Sequence, residues 1–452
     1  MHIQKLQIEH LRSFTKAEIE LNLPGTEGLS LPNVNVLLGG NGLGKTGILR
    51  AFALSALGPL LSGPSGYIPT SLIRRRPLHA DHAKRPLLDL RKPFATAHIV
   101  STAEDLQAGH DTSELPEHFS LKTEVRPLGS AETLKWSVMP RSIRDNVENL
   151  QFDEASAAFF VVGYGATRRV EASERMDSNA RKIRNIRYER VASLFEDHVT
   201  LVPLGHSLPM ILKKNPNRYK EIVNLVNSLL PDNCQMLGNS GDDPEQIDLF
   251  QMNNIALPFK DLSDGFRAHI GWIADMLHHA AQVLPDGTLL RDLQGVAMVD
   301  EIDLHLHPEW QRTVVPALAA ALPKMQFVFT THSPLVVTSL SSHNLFVLGQ
   351  REESTIVRRL PESIQGKGAE QILLSPYFGL NSTRSVDFST HLEDLAIQAA
   401  SGNEQASLDY LKAMADGFRS SQRTVTAETR IPRSIKASLL KKAVKTTKDE
   451  QT

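Results

Sequence analysis

Hydrophobic positions at the start of the chain stand singly among polar neighbours, not in the three-and-four spacing of a helix. Ile3, Leu6, Ile8 and Leu11 predict a strand, and Ala17–Leu23 predicts a second. A Pro- and Gly-rich loop, Pro24 to Pro32, leads to Val34-Asn35-Val36-Leu37-Leu38, which reads as a short buried strand. Glycines follow at once, and the apolar segment Ile48–Leu61 beyond them suits a helix. Between Gly63 and Leu150 the pattern turns irregular and rich in Pro and basic residues, with one strand pair at Thr96–Ser101 and His118–Val125. Phe159–Gly163 reads as another buried strand, and Ser193–Leu230 reads as helical. From Leu257 to Leu340 helical and strand patterns alternate, as in a parallel α/β sheet. A last helical stretch, Val386–Met414, precedes a basic tail. There is no repeat of 20–50 residues and no sustained heptad pattern.

Composition adds boundaries. A chain of 452 residues, 41% apolar and 22% charged, is an ordinary globular sequence long enough for two or three domains. Met1–Phe14 alternates instead of forming an apolar leader, and no run approaches the ~18–20 apolar residues of a membrane span. With Cys234 as the single cysteine no internal disulfide can form, so a cytoplasmic protein is expected. A net charge of −2 argues neither for nor against nucleic acid. Local basic runs do occur: Arg74, Arg75, Arg76, Lys84, Arg85, Arg91 and Lys92; Arg168 through Arg190; and a tail from Arg419 to Lys448. Each is a phosphate-seeking patch if it converges on one face, and solvated surface otherwise.

The chemistry starts at Gly39-Gly40-Asn41-Gly42-Leu43-Gly44-Lys45-Thr46, a complete G-x-x-x-x-G-K-[ST] between a predicted strand and a predicted helix. Glycines let backbone N–H groups curl around phosphate oxygens, and the helix N-terminus adds unpaired amides. Lys45 would hold the β- and γ-phosphates, and Thr46 would ligate Mg²⁺. Val296-Ala297-Met298-Val299 then predicts a buried strand that ends in Asp300-Glu301. Such a pair alone is as well read as a strand terminus. Behind a phosphate loop, Asp300 is placed to hold Mg²⁺ and Glu301 to deprotonate a water. A third strand, Met325–Thr331, ends at His332-Ser333-Pro334, where a histidine can report a γ-phosphate. A helix over Pro308–Leu322 separates the two strands.

Together these motifs resemble the ABC-class ATPases, and within them the RecF/SMC/OLD-like branch. The resemblance rests on Leu6-x-Ile8-x-x-Leu11-Arg12-Ser13-Phe14, Gly39–Thr46 and Leu262-Ser263-Asp264-Gly265-Phe266-Arg267. It continues through Asp300-Glu301-Ile302-Asp303-Leu304-His305-Leu306-His307-Pro308 and Thr330–Pro334. The fold it implies is an α/β P-loop head of ABC type, a mixed or parallel sheet flanked by helices, with a helical insertion and a small C-terminal helical unit. On that reading residues 1–62 and 257–345 are the two lobes of the head, 63–256 an inserted arm, and 346–452 the extension and tail. The resemblance makes Ser263 and Gly265 the signature that caps ATP on the opposite subunit. It places Asp303 in the D-loop and makes His332 the switch histidine. Asp264 departs from the pattern, since a glycine is usual there. His305 and His307 could suggest a metal, but this run is common in the branch without one.

The segment Gly163-Tyr164-Gly165-Ala166-Thr167-Arg168-Arg169 also looks like this branch, with Arg168 near nucleotide, near a partner, or in a loop-stabilising ion pair. Beyond Leu340 no Asp-x-Asp pair provides nuclease metals, and no coiled coil interrupts Thr46–Leu262. The remaining resemblance is to stand-alone ATPase subunits of anti-phage systems of the Septu or PARIS type, which work with a separately encoded nuclease. It extends through Gly366–Leu373 and Phe378-Gly379. The implied partners are a second copy joined through sandwiched ATP, that nuclease or another effector, and DNA, with no membrane. A RecF-like repair ATPase and a transporter's ATPase are the alternatives.

Overall fold

The fold is that of a computed structural model, which describes residues 1–63, 67, 69–75, 88, 91–101, 115–129, 131–170, 185–238 and 247–423. The basic positions Arg76, Lys84 and Arg85, and the tail beyond Arg423, lie outside them. Two compact units result, Met1–Leu380 and Asn381–Thr452.

Among the described residues sixteen strands follow in order. They are β1 (His2–Leu11), β2 (Phe14–Glu20), β3 (Val34–Leu38), β4 (Phe94–Val100), β5 (His118–Leu128), β6 (Ala131–Met139), β7 (Val161–Tyr164) and β8 (Arg169–Val170). Then come β9 (Thr200–Leu201), β10 (Cys234–Met236), β11 (Leu249–Met252), β12 (Ile255–Pro258), β13 (Gly295–Val299), β14 (Met325–Thr331), β15 (Leu345–Arg351) and β16 (Ser354–Arg358).

The central sheet has the order β16-β15-β3-β14-β13-β7, parallel throughout except for β16. Its inner strands are buried on both faces, which is why Val34–Leu38, Gly295–Val299 and Met325–Thr331 read as unbroken apolar runs. Alternate side chains serve two cores. Val36, Val299, Phe327 and Phe329 face one, with the helices Asp264–Val283 and Pro308–Ala321 packed over it. Leu37, Met298 and Val328 face the other, which holds helix Lys45–Ala56 and the antiparallel sheet β2-β1-β4-β5-β6. That helix lies between two sheets, and Ile48, Leu49, Ala51, Phe52, Ala53, Leu54 and Ala56 are all buried. A helix apolar all round is what such a position requires. Buried amides stitch the sheets together: Ile3 N–H donates to Gln326 Oε1 (2.8 Å), and Gln326 Nε2 donates back to Ile3 O (2.8 Å).

The segment expected as an arm contributes to both sheets of the head. Its β4, β5 and β6 extend the sheet begun by β1 and β2, and its β7 forms one edge of the central sheet. Strand β6 was absent from the expected pair, as was helix Arg144–Phe152. Within Ser193–Leu230 the helices run Leu204–Lys214 and Pro216–Leu229. The second unit carries helices Val386–Ala400 and Glu404–Arg423. Among the described residues no helix is long and apolar enough to cross a membrane.

Candidate functional site

Parallel pairing brings four strand ends to one edge of the central sheet. Leu38 of β3 pairs with Thr331 of β14, while Val299 of β13 pairs with Phe329 of β14 and Tyr164 of β7. The residues that follow these ends therefore converge: the glycine loop after β3, Asp300 after β13, His332 after β14 and Arg168 after β7. Ligands sit at this C-terminal edge in open α/β sheets.

The loop's shape is fixed from behind by the chain's opening motif. Gly44 adopts φ 92° as the residue before helix Lys45–Ala56. A Cβ there would lie 2.2 Å from Ser13 Oγ and 2.8 Å from Phe14 Cε2, so no larger residue fits. Ser13 Oγ in turn donates to Leu43 O (3.3 Å). Gly40, Asn41 and Gly42 remain exposed along the loop's outer edge.

Lys45 is buried, and its ammonium donates to Gly39 O (2.8 Å) and Gly40 O (3.2 Å) and lies 2.7 Å from His332 Nε2. Burial pushes its pKa below the usual lysine range, opposed by the charges of Asp300, Glu301 and Asp303. A cation bonded only to neutral acceptors is suited to a polyanion. Thr46 Oγ1 donates to Asp300 Oδ2 (2.6 Å), and Thr330 Oγ1 donates to Asp300 Oδ1 (2.5 Å). Glu301 follows with φ 49°, its N–H donating to Thr330 Oγ1 (2.7 Å). Thr331 Oγ1 donates to Asp303, so the ends of β13 and β14 are joined twice by threonine hydroxyls.

The chemistry of this set fits Mg²⁺ and a nucleoside triphosphate. A hydroxyl and a carboxylate 2.6 Å apart are the one or two protein ligands that Mg²⁺ takes when phosphate oxygens and water complete its shell. Among the described residues no three His, Cys, Asp or Glu side chains converge as a metal cage, and none forms around His305 or His307. Ser263 and Gly265 are not drawn into this cluster. Ser263 is exposed at the start of helix Asp264–Val283 and makes no side-chain cap, and Gly265 packs against the backbone of His305.

The chain is similar to several known proteins. The family described as "AAA domain, putative AbiEii toxin, Type IV TA system" matches residues 146–338. The Septu protein PtuA of Bacillus mycoides (strain KBAB4) is 27% identical over 383 residues, covering 84% of this chain and 45% of that protein. The retron Ec83 probable ATPase of Escherichia coli is 29% identical over 187 residues, covering 41% of this chain and 33% of that protein. An SMC head bound to the C-winged helix domain of ScpA has a TM-score of 0.48 at 14% identity, covering 80% of this chain and 98% of that one. The chain is an α/β protein with a phosphate loop after a parallel strand, similar in sequence to these relatives. It spans less than half the length of these curated relatives.

One residue beside these strand ends has a role that sequence reasoning left open. Arg168 is buried, and its two terminal nitrogens donate to Asp300 O (2.6 Å) and Glu301 O (2.9 Å). Among the described residues it forms no ion pair; it clamps the backbone that carries the two carboxylates. Burial lowers its pKa to about 10, so it stays charged at neutral pH. Arg187, in the second basic run, is a structural residue. It is buried and donates to five carbonyls, those of Ala158, Phe159, Leu150, Asp153 and Ser156.

Proposed function

We propose that this chain binds and hydrolyses ATP as the regulatory ATPase of an anti-phage defence system in the cytoplasm. The reading is carried by one observation, the convergence of Lys45, Thr46, Asp300 and His332 at the ends of three adjacent parallel strands. Lys45 and the amides of Gly39, Asn41, Gly42, Gly44 and Thr46 would hold the phosphates. Thr46 and Asp300 would hold Mg²⁺, which would offset the charge developing on the phosphates. Glu301 would take the proton of the attacking water, and His332, in contact with Lys45, would sense the γ-phosphate.

The exposure of Ser263 away from its own phosphate loop supports a dimer in which ATP is held between two heads. Ser263 and Gly265 of one would then cover ATP on the other, with Asp303 beside the junction. Relatives named Septu protein PtuA and retron probable ATPase support the defence role. A separately encoded nuclease is the effector this reading implies, with DNA as a candidate trigger.

The test is phosphate release by the purified chain, alone and with double-stranded DNA, beside Lys45→Ala and Glu301→Gln. Turnover lost in both variants is expected. Turnover that survives in either would remove the assigned site. DNA stimulation would mark the chain as a direct nucleic-acid sensor.

A further inference from the structure

The signature of this head carries a charge where the resemblance expects a glycine, and the structure pairs that charge. Asp264 is almost fully exposed (87%) one residue before Gly265. The Arg267 guanidinium, one helical turn on, donates to the Asp264 carboxylate. Among the described residues its one other hydrogen bond is a long one, 3.4 Å to Lys260 O. Arg267 also lines a cavity of about 350 Å³ with Arg168, Arg169, His305 and Asp264, beside the start of the signature helix.

A lone carboxylate at this position would repel an incoming γ-phosphate, since like charges brought together out of bulk water oppose each other strongly. A carboxylate that holds an arginine does the opposite, because the guanidinium can exchange one anion for another. Arginine's fork matches phosphate oxygens as well as carboxylate oxygens. The pair is surface-exposed, and such pairs hold their partners weakly.

We infer that Arg267 is a catalytic cation delivered in trans: it leaves Asp264 to contact the γ-phosphate of ATP bound in the opposite subunit. This rests on the sandwich proposed above. In the separated subunit Asp264 keeps the arginine folded along its own helix. In the dimer Arg267 meets the charge that spreads over the γ-phosphate oxygens as the bond to the leaving group lengthens and water attacks. It supplies no proton and forms no bond. An arginine so placed accelerates phosphoryl transfer by about 10³–10⁵-fold where it is fully engaged.

The experiment uses the full chain and ATP. In Arg267→Ala, turnover should fall at least about a hundredfold, while binding of ATP to its own phosphate loop stays within a few-fold. The same loss should appear when Arg267→Ala is made in an Asp264→Ala background. If the double variant matches Asp264→Ala, then Arg267 only neutralises Asp264 and the inference is wrong. A mixing test then separates cis from trans. Glu301→Gln protein keeps Arg267 but lacks the base, and Arg267→Ala protein keeps the base. Neither should turn over alone, and the mixture should recover activity at the mixed site. A silent mixture, with Glu301→Gln protein visibly dimeric in ATP, overturns the trans role. If Glu301→Gln protein stays monomeric in ATP, the sandwich itself fails and the trans role fails with it.

Discussion

Arg168 offers the sharpest check on how the strand ends are held. Its two terminal nitrogens donate to the carbonyls of Asp300 and Glu301, and among the described residues no other side chain donates to these two oxygens. Hydrogen bonds from a charged donor contribute about 1.5–3 kcal/mol each, so the fork amounts to roughly 3–6 kcal/mol before relaxation. Arg168→Ala leaves the buried Asp300 carbonyl without that donor and the part-buried Glu301 carbonyl with the Leu304 N–H alone, and lets the Asp300–Glu301 turn shift. A displacement of about 1 Å at a reacting group costs on the order of a hundredfold in rate. Turnover should therefore fall about a hundredfold in Arg168→Ala. Arg168→Lys, which replaces a fork by a single point donor, should lose about tenfold.

The binding of ATP should separate from this loss, because Gly39–Thr46 follow β3 and Arg168 follows β7, three strands away in the sheet. The assay is kcat for phosphate release set against the Kd of a fluorescent ATP analogue, with thermal melting to confirm that each variant is folded. A pKa of about 10 keeps Arg168 charged up to about pH 9, so the loss should be the same at pH 7 and pH 8.5. A folded Arg168→Ala protein with wild-type kcat would refute the clamp. Equal losses in kcat and in ATP affinity would refute the claim that it acts on the carboxylates and not on the phosphate loop.

Three further outcomes follow from the packing. His269 is fully buried against Trp272 and Trp310, and burial lowers its pKa to about 3. The unfolded chain takes up that proton below about pH 6.5 and the folded one only near pH 3, so stability falls as pH falls through that window. This site should cost about 2 kcal/mol between pH 7 and pH 5, read as a difference in urea unfolding between wild type and His269→Phe at the two pH values. No pH dependence in that difference would place a water or proton on the ring. Arg187→Met should destabilise by at least about 3 kcal/mol, since five carbonyls lose their donor. Arg190→Met should be neutral or stabilising by comparison, because Arg190 is equally buried over the Phe160 ring and its three nitrogens have no hydrogen-bond partner among the described residues. Thermal melting of the two variants side by side checks both, and equal losses would contradict the contrast.

The residues legible in the sequence are those that the proposed function turns toward a ligand. Lys45, Thr46, Asp300 and His332 are fixed by residue type and by their place after a buried strand, and the parallel register brings them together as expected. The residues that escaped share another trait: their partners are main-chain atoms. Arg168 and Arg187 bind carbonyls, which every residue has, so no second residue type in the sequence points to the contact. Strand β6 was hidden for a related reason. Its Leu134, Trp136 and Val138 alternate correctly, but they sit among Glu132, Lys135 and other polar residues at the rim of a sheet. Glu132 is itself buried there, accepting from the backbone N–H groups of Leu72 and Ile73.

Gly265 shows that the two kinds of constraint can fall on one position. The resemblance gives it a reason in the opposite subunit, where a side chain would crowd the phosphate. The structure gives it a second reason in its own subunit, because a Cβ would lie 2.4 Å from the carbonyl of His305. Backbone cannot yield as a flexible side chain does, so Gly265→Ala must push the signature helix from the turn that follows Asp303. Overpacking of this kind costs about 1–3 kcal/mol. The cost should appear in the isolated monomer without nucleotide, as a lower melting temperature. A Gly265→Ala monomer as stable as wild type, yet unable to form the ATP-bound dimer, would leave the trans contact as the sole reason for the glycine. If instead stability is lost, inactivity of signature-glycine variants in this head does not by itself report contact with the partner's ATP. The mixing of Glu301→Gln and Arg267→Ala proteins is then the cleaner measure of what crosses the dimer.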